Sequence, residues 1–321
     1  MWLNVVFKMV YSLFTNALFP MKHLSFSMLI LLLLFSSCHV EKEESYAISQ
    51  EAHTEEIENW YNNRVASLKS ENGWLNLIGL YWFEQDSNRL GMNVGSELLV
   101  DDALFPEFFG TFGKVGKQVY FSPEIDGIKI GEELITEKVL VFDPENDFSP
   151  TITYGTYRMS VLQRSDLVGL RLRNVESDLI KDFQGIDRFP VNMEWRFEAR
   201  FIPYEPVKEI PISNVLGQTY PAEAIGYLSF GFEGRIYNID ALEEGDQLYL
   251  IFADGTSGAE TYGGGRYLYT QKADENGIVI LDFNKAFNPP CVFTPFATCP
   301  LPPRQNILEL AIEAGERNWG K

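Results

Sequence analysis

Only one stretch of this chain repeats its apolar residues at helical spacing, and nearly everything after it is cut into short runs. Across residues 54–70, Ile57, Trp60, Tyr61, Val65 and Leu68 recur every three or four positions, which gives a helix one apolar face. Thr54 is placed to cap its start, and Asn72-Gly73 offers a left-handed stop. Residues 74–83 form a dense apolar run of strand length. Turn residues then separate short runs at 97–101, 111–114, 118–122, 127–130 and 138–143, a spacing that suits a small β-sandwich. A longer series begins near Thr151. It runs through 157–163 and 167–173, an expected hairpin, then 195–202, 210–215, 224–232, 247–252, 267–271, 278–283 and 307–312. Asn276-Gly277 is a tight-turn signal between two of these runs. The last run puts Leu308, Leu310 and Ile312 on one face. The expected fold is therefore mainly β: an N-terminal helix with a small sandwich over 54–145, then a larger antiparallel β domain over 146–321.

Ahead of the helix the chain has another character. Met21-Lys22-His23 leads into an apolar run that ends Phe35-Ser36-Ser37-Cys38, the layout of a secretory signal. The ending resembles a bacterial lipobox, although Phe35 stands where that pattern prefers Leu, Ala or Val. The resemblance implies a lipid on Cys38, which becomes the mature N-terminus. It also implies a place in the cell envelope, as an outer-membrane lipoprotein facing the periplasm or the cell surface. Residues 1–37 are read as the signal, with 1–20 an upstream extension and Met21 the true start. The competing reading is an uncleaved anchor. Spanning a bilayer takes roughly 20 apolar residues, the run is shorter, and Lys8, Asn16, Pro20, Lys22 and His23 interrupt any longer one. Residues 38–53 are expected to be an acidic tether. Its Glu41, Lys42, Glu43 and Glu44 resemble the export signal of some surface lipoproteins, or are a solvated linker.

Charge and histidine content exclude function classes. The chain has 26 basic and 45 acidic residues, and loss of Lys8 and Lys22 with the signal leaves 24 against 45, a charge of −21. Such a body lacks the clustered basic surface of a nucleic-acid binder. It also lacks a basic patch for anionic headgroups, so the lipid is the expected membrane contact. The three histidines, His23, His39 and His53, all precede the body. Unless His53 folds back over it, Ser-His-Asp and Cys-His catalysis and His-ligated zinc are excluded. No cofactor and no metal site is expected.

Part of the expected sandwich, Leu90-Gly91, Ser96-Glu-Leu-Leu-Val-Asp, Pro106, Gly110-Thr-Phe and Val119-Tyr-Phe, faintly resembles a forkhead-associated domain. The phosphothreonine readers of that family place an arginine after the first glycine. Met92 stands there, so the resemblance implies the fold without that activity.

The chemistry-bearing residues cluster between Phe252 and Asn306. Glu260-Thr-Tyr-Gly-Gly-Gly-Arg266, Asp282-Phe-Asn284, Asn288-Pro-Pro-Cys291 and Cys299-Pro-Leu-Pro-Pro303 resemble the C-terminal signature of a bacterial family of unknown function, domain of unknown function 1684. The resemblance extends loosely through Ile186-Asp-Arg-Phe-Pro190 back to Trp74-Leu-Asn-Leu-Ile-Gly-Leu80, and it implies no activity. Read physically, Gly263, Gly264 and Gly265 can bring backbone amides close to an anion, with Arg266 forking onto a carboxylate or phosphate. The plainer alternative is a glycine turn with Arg266 paired to a structural acid. Cys291 and Cys299, around a proline-rich loop of an exported chain, suggest a disulfide.

Three functions follow as expectations. The first is an envelope lipoprotein that binds a small polar or anionic ligand through Thr261, Tyr262, Gly263, Gly264, Gly265 and Arg266, faced by Asp282 and Asn284. The second is a histidine-independent hydrolase in the same pocket, with Glu260 or Asp282 as general base and Arg266 stabilising negative charge. The third is a structural or interaction lipoprotein without a pocket.

Overall fold

The computed structural model describes residues 46–320. The signal segment, the Cys38 lipidation site and the first half of the acidic tether lie outside the described residues. Helix α1 (Gln50–Lys69) starts earlier than its apolar spacing suggests. Ser49 is the cap, its Oγ accepting from the Ala52 N–H at 3.2 Å. The tether expected through residue 53 therefore ends at the cap, and Thr54 sits inside the helix, donating its hydroxyl to the Gln50 carbonyl at 2.8 Å. Nor is Gly73 a left-handed stop. Leu75 N–H reaches back to the Leu68 carbonyl at 3.3 Å, and a Cβ on Gly73 would lie 2.1 Å from that oxygen. Close approach, not φ, requires the glycine.

The sandwich is built from β1 (Leu77–Trp82), β2 (Ser87–Gly91), β3 (Leu98–Leu99), β4 (Gly110–Val115), β5 (Gln118–Pro123), β6 (Lys129–Ile130), β7 (Glu133–Leu134), β8 (Val139–Phe142), β9 (Ile152–Tyr154), β10 (Tyr157–Arg164) and β11 (Leu167–Asn174). One sheet has the order β3-β2-β4-β5-β8 and the other β1-β11-β10-β9-β6-β7. Leu90, Phe112 and Phe121 of the first meet Met159, Leu170 and Leu172 of the second in one core. Each such side chain contributes about 1.5–3 kcal/mol by leaving water. The expected break at 145/146 thus falls inside the sandwich. The hairpin β10–β11 is the lid that the first sheet's apolar face needs, so this unit extends to Asn174. On β11 the period of two turns Leu170 and Leu172 inward and Arg171 and Arg173 outward. The two guanidiniums lie 5.2 and 5.7 Å from the Trp74 ring centroid.

After the short α2 (Asp178–Asp182) come β12 (Arg196–Ser213), β13 (Thr219–Phe232), β14 (Arg235–Glu244), β15 (Gln247–Phe252), β16 (Arg266–Gln271) and β17 (Ile278–Asp282). Their order is β16-β15-β14-β13-β12-β17, and Thr270 on one end strand donates to the Ile280 carbonyl on the other at 2.8 Å. The sheet therefore nearly closes into a barrel, filled by Leu228, Ile239, Leu250, Phe252, Leu281 and Phe283. The runs at 195–202 and 210–215 belong to a single strand, β12, whose register shifts between Pro203 and Lys208 around a cis Glu205–Pro206 peptide. The expected last strand at 307–312 is not one. Ile307 makes a single bridge to Ala253, while Leu308 and Ile312 plug the barrel core. Its alternation records burial rather than pairing.

Candidate functional site

Arg266 opens β16 and is wholly buried. One Nη donates to Asp254 Oδ2 at 2.8 Å and to the Ile312 carbonyl at 3.0 Å, and the other donates to the Ala314 carbonyl. The remaining Asp254 oxygen accepts from Thr256 N–H at 2.8 Å, from its hydroxyl at 2.6 Å and from Ile312 N–H at 3.2 Å. Thr256 and Thr261 hydroxyls meet at 2.9 Å. Burial pushes the Arg266 guanidinium below its ordinary pKa, and Asp254 opposes the shift. Gly265 has φ +86°, and a Cβ there would come within 2.4 Å of Pro302 and 2.5 Å of the Phe252 carbonyl. The glycine run thus lets backbone pack against protein. Gly263 is exposed, whereas Tyr262 and Gly264 are half-buried against each other.

Asp282 and Asn284 turn elsewhere. Asp282 Oδ1 accepts from Asn284 N–H at 3.0 Å and from its amide at 2.8 Å. Asn284 in turn clamps the Asn192 backbone, amide and carbonyl both at 2.9 Å. Asp282 Oδ2 lies 2.7 Å from His53 Nε2. His53 does fold back, then: it sits in the first turn of α1, fully buried, and it joins that helix to the end of β17. The condition attached to the histidine exclusion is met for this one ring. Its Nδ1 nevertheless has no hydrogen-bond partner among the described residues, so no hydroxyl or thiol is held against it as a nucleophile. Glu260 is exposed and paired with Arg317. Arg266, Glu260 and Asp282 therefore each have their own partner, and none lines the cavity described next.

That cavity, about 490 Å³, opens between the sandwich and the barrel. Arg164 and Arg171 come from β10 and β11, Trp74 from the chain entering β1, and Arg64 from α1. Tyr249, Tyr267 and Tyr269 come from β15 and β16, and Glu244, Phe287 and Cys299 also line it. Arg64 is engaged: Nε donates to Glu316 at 3.2 Å, Nη2 to the Asn288 carbonyl at 2.9 Å, and its plane lies 4.6 Å from the Phe287 centroid. Burial pushes the Glu316 carboxyl above its ordinary pKa, with Arg64 opposing. Arg164 donates from Nε to Thr298 at 3.3 Å. Arg171 is the exception. Its Nε and Nη2 are buried without an acceptor among the described residues. Burial, and then the like charges of Arg173 and Arg164, push it down to about 10.

The tyrosine hydroxyls are occupied: Tyr267 donates to the Pro300 carbonyl at 2.7 Å and Tyr269 to Glu244 at 2.8 Å. Burial pushes Tyr249, Tyr267 and Tyr269 above the ordinary phenol range. The Tyr249 and Tyr269 rings stack at 4.8 Å and 18°, and Phe287 continues the stack at 5.8 Å and 17° from Tyr269. The Cys291 and Cys299 sulfurs are joined as a disulfide, pinning the wall that carries Thr298. Sequence reasoning missed this site. The available signal was a pair of arginines on one face of an apolar strand, Arg171 and Arg173, in an otherwise acidic chain.

Residues 181–317 match the model of the family described as Protein of unknown function (DUF1684). The stretch from Trp74 to Leu80, to which the motif resemblance extended, lies outside the match. Among solved structures, the chain is similar to an uncharacterised protein of Haloarcula marismortui determined by solution NMR. The two are 31% identical over 43% of this chain and 78% of that one, with a TM-score of 0.36. No protein of curated function matches. The glycine run, Arg266, the Asp282–Asn284 turn and both cysteines all fall within residues 181–317, and through that segment the chain is tied to the DUF1684 family, whose activity is uncharacterised.

Proposed function

We propose that this chain is a binding protein for a small anion, seated between sandwich and barrel on Arg171 and Arg164. The observation that carries this reading is Arg171, which lines a cavity while two of its nitrogens are buried without an acceptor among the described residues. A buried, uncompensated donor on a charged group costs upwards of about 1–3 kcal/mol, and an anionic ligand that supplies acceptors removes the cost. The expected ligand chemistry is kept and its address changes. Arg266, the arginine first assigned to it, already holds Asp254 and two carbonyls. The cavity's size is that of sites enclosing a whole small molecule. The acid–base alternative gains nothing from Glu260 and Asp282, which are bound to Arg317 and His53 respectively. A lipid on Cys38 completes the proposal by holding this body at an envelope membrane. The Cys291–Cys299 bond suits such an oxidising compartment.

The test is a thermal-shift series on the full chain in detergent with inorganic phosphate, sulfate, acetate and benzoate, against potassium chloride at matched ionic strength. At least one oxyanion should raise Tm beyond the chloride control, and Arg171→Met should abolish the rise. Equal responses to all salts, or an undiminished rise in Arg171→Met, would defeat the reading. Radioactive fatty-acid labelling that survives Cys38→Ala would remove the anchor from it.

A further inference from the structure

We infer that the ligand is an aromatic oxyanion, an aryl carboxylate or aryl phosphate, whose head meets Arg171 while its ring lies against the tyrosine wall. The inference rests on the anion-cavity reading and narrows it. The head follows from which nitrogens lack acceptors. Nε and Nη2 share one edge of the guanidinium, and their N–H bonds run side by side. Two oxygens of a single carboxylate or phosphate match that spacing, whereas chloride or a lone carbonyl oxygen must share one acceptor atom between both donors, with each N–H bent from linear. Seating an oxyanion there requires Arg171 to shift within the cavity it lines, because this edge is covered at present. Arg164 adds a second positive charge, near enough to Arg171 to depress its protonation.

The body follows from what the other walls offer. Tyr267 and Tyr269 have committed their hydroxyls to Pro300 and Glu244, so they present rings rather than free donors. Tyr249, Tyr269 and Phe287 form a near-parallel stack, and Trp74 lies under Arg171. A further ring can join such a surface offset or edge-on, and it can lie against a guanidinium plane as Trp74 already does. A sugar phosphate would bring several hydroxyls into a wall with few open partners, which opposes its binding.

Calorimetric titration of the full chain in detergent separates the possibilities. The panel is 2-naphthoate, 2-naphthyl phosphate, cyclohexanecarboxylate, inorganic phosphate, glucose 6-phosphate and neutral 2-naphthamide. At least one naphthyl anion should bind about tenfold tighter than its non-aromatic counterpart and about tenfold tighter than 2-naphthamide. Which of the two wins identifies the head. Tyr269→Leu, at a half-buried position, should reduce the ratio of 2-naphthoate to cyclohexanecarboxylate affinity, and an unchanged ratio would count against the aromatic wall. If cyclohexanecarboxylate matches 2-naphthoate and both depend on Arg171, the aromatic class is wrong and the anion cavity stands. Preference for glucose 6-phosphate over 2-naphthyl phosphate overturns the class in the same way. If no member of the panel binds, the cavity reading falls with it.

Discussion

Two arginines, Arg266 and Arg171, are both withdrawn from water, and the protein treats them in opposite ways. Arg266 is enclosed by Asp254 and by the carbonyls of Ile312 and Ala314, with Phe252 beneath its plane. Arg171 has a tryptophan face, two like-charged neighbours and no acceptor for Nε or Nη2. The first has its charge matched by a buried carboxylate and only Nε left without an acceptor; among the described residues no acid pairs with the second. A motif that looks like a binding loop can thus be a structural joint. A charge on an unremarkable strand can be the group that still lacks a partner.

Breaking the first arginine tests the contrast most severely. Arg266→Met strands a buried Asp254 carboxylate, and urea unfolding should show a loss of about 3–5 kcal/mol. A loss below about 1 kcal/mol would erase the distinction between the two sites. Next comes the wall beside the second arginine. Replacing Cys291 and Cys299 together by serine opens a short covalent loop and should cost about 2–3 kcal/mol in the same assay. Anion affinity should fall as well, because the wall holding Thr298 loosens.

Glu316 links the two regions, taking a hydrogen bond from Arg64 at the cavity while the neighbouring backbone serves Arg266. Its folded pKa is raised above the ordinary value of 4.5, so between the two values the native state holds more protons than the unfolded one. Stability from this group is present at acid pH and lost as pH rises through the raised value. Relative to Glu316→Gln, the wild type should weaken across that window by at most about 1.4 kcal/mol per pH unit. Chemical unfolding at a series of pH values, with a flat or rising difference, would reverse the assignment. The smallest effect sharpens the contrast from the other side. Arg171→Met should raise the stability of the ligand-free protein by about 1 kcal/mol, because it removes uncompensated donors, while abolishing oxyanion binding.

The mainly β character, the early helix and most strands were legible in the sequence, because each rests on local periodicity. Relations between distant segments were not. Nothing in the runs at 157–163 and 167–173 announces that they cover the face of the preceding sheet and do not join the barrel, since a half-buried strand does not name its partner. His53 was misplaced because α1's apolar stripe starts at Ile57 and its cap, Ser49, looks like any linker serine. The buried Arg266–Asp254 pair was legible as an alternative, a glycine turn with a structural acid. The cavity was not, because its arginines and rings come from α1, β10, β11, β15, β16 and the segments around Trp74 and Phe287, and only folding assembles them.

The walls of that cavity belong to two β units with separate hydrophobic cores. A molecule lodged there touches both, so its binding free energy also counts toward keeping one unit docked on the other. Ligand occupancy then becomes a matter of cooperativity. The sandwich and the barrel already share packing through Trp74, Tyr249 and Tyr267, and occupancy should raise the temperature of the unfolding transition they share.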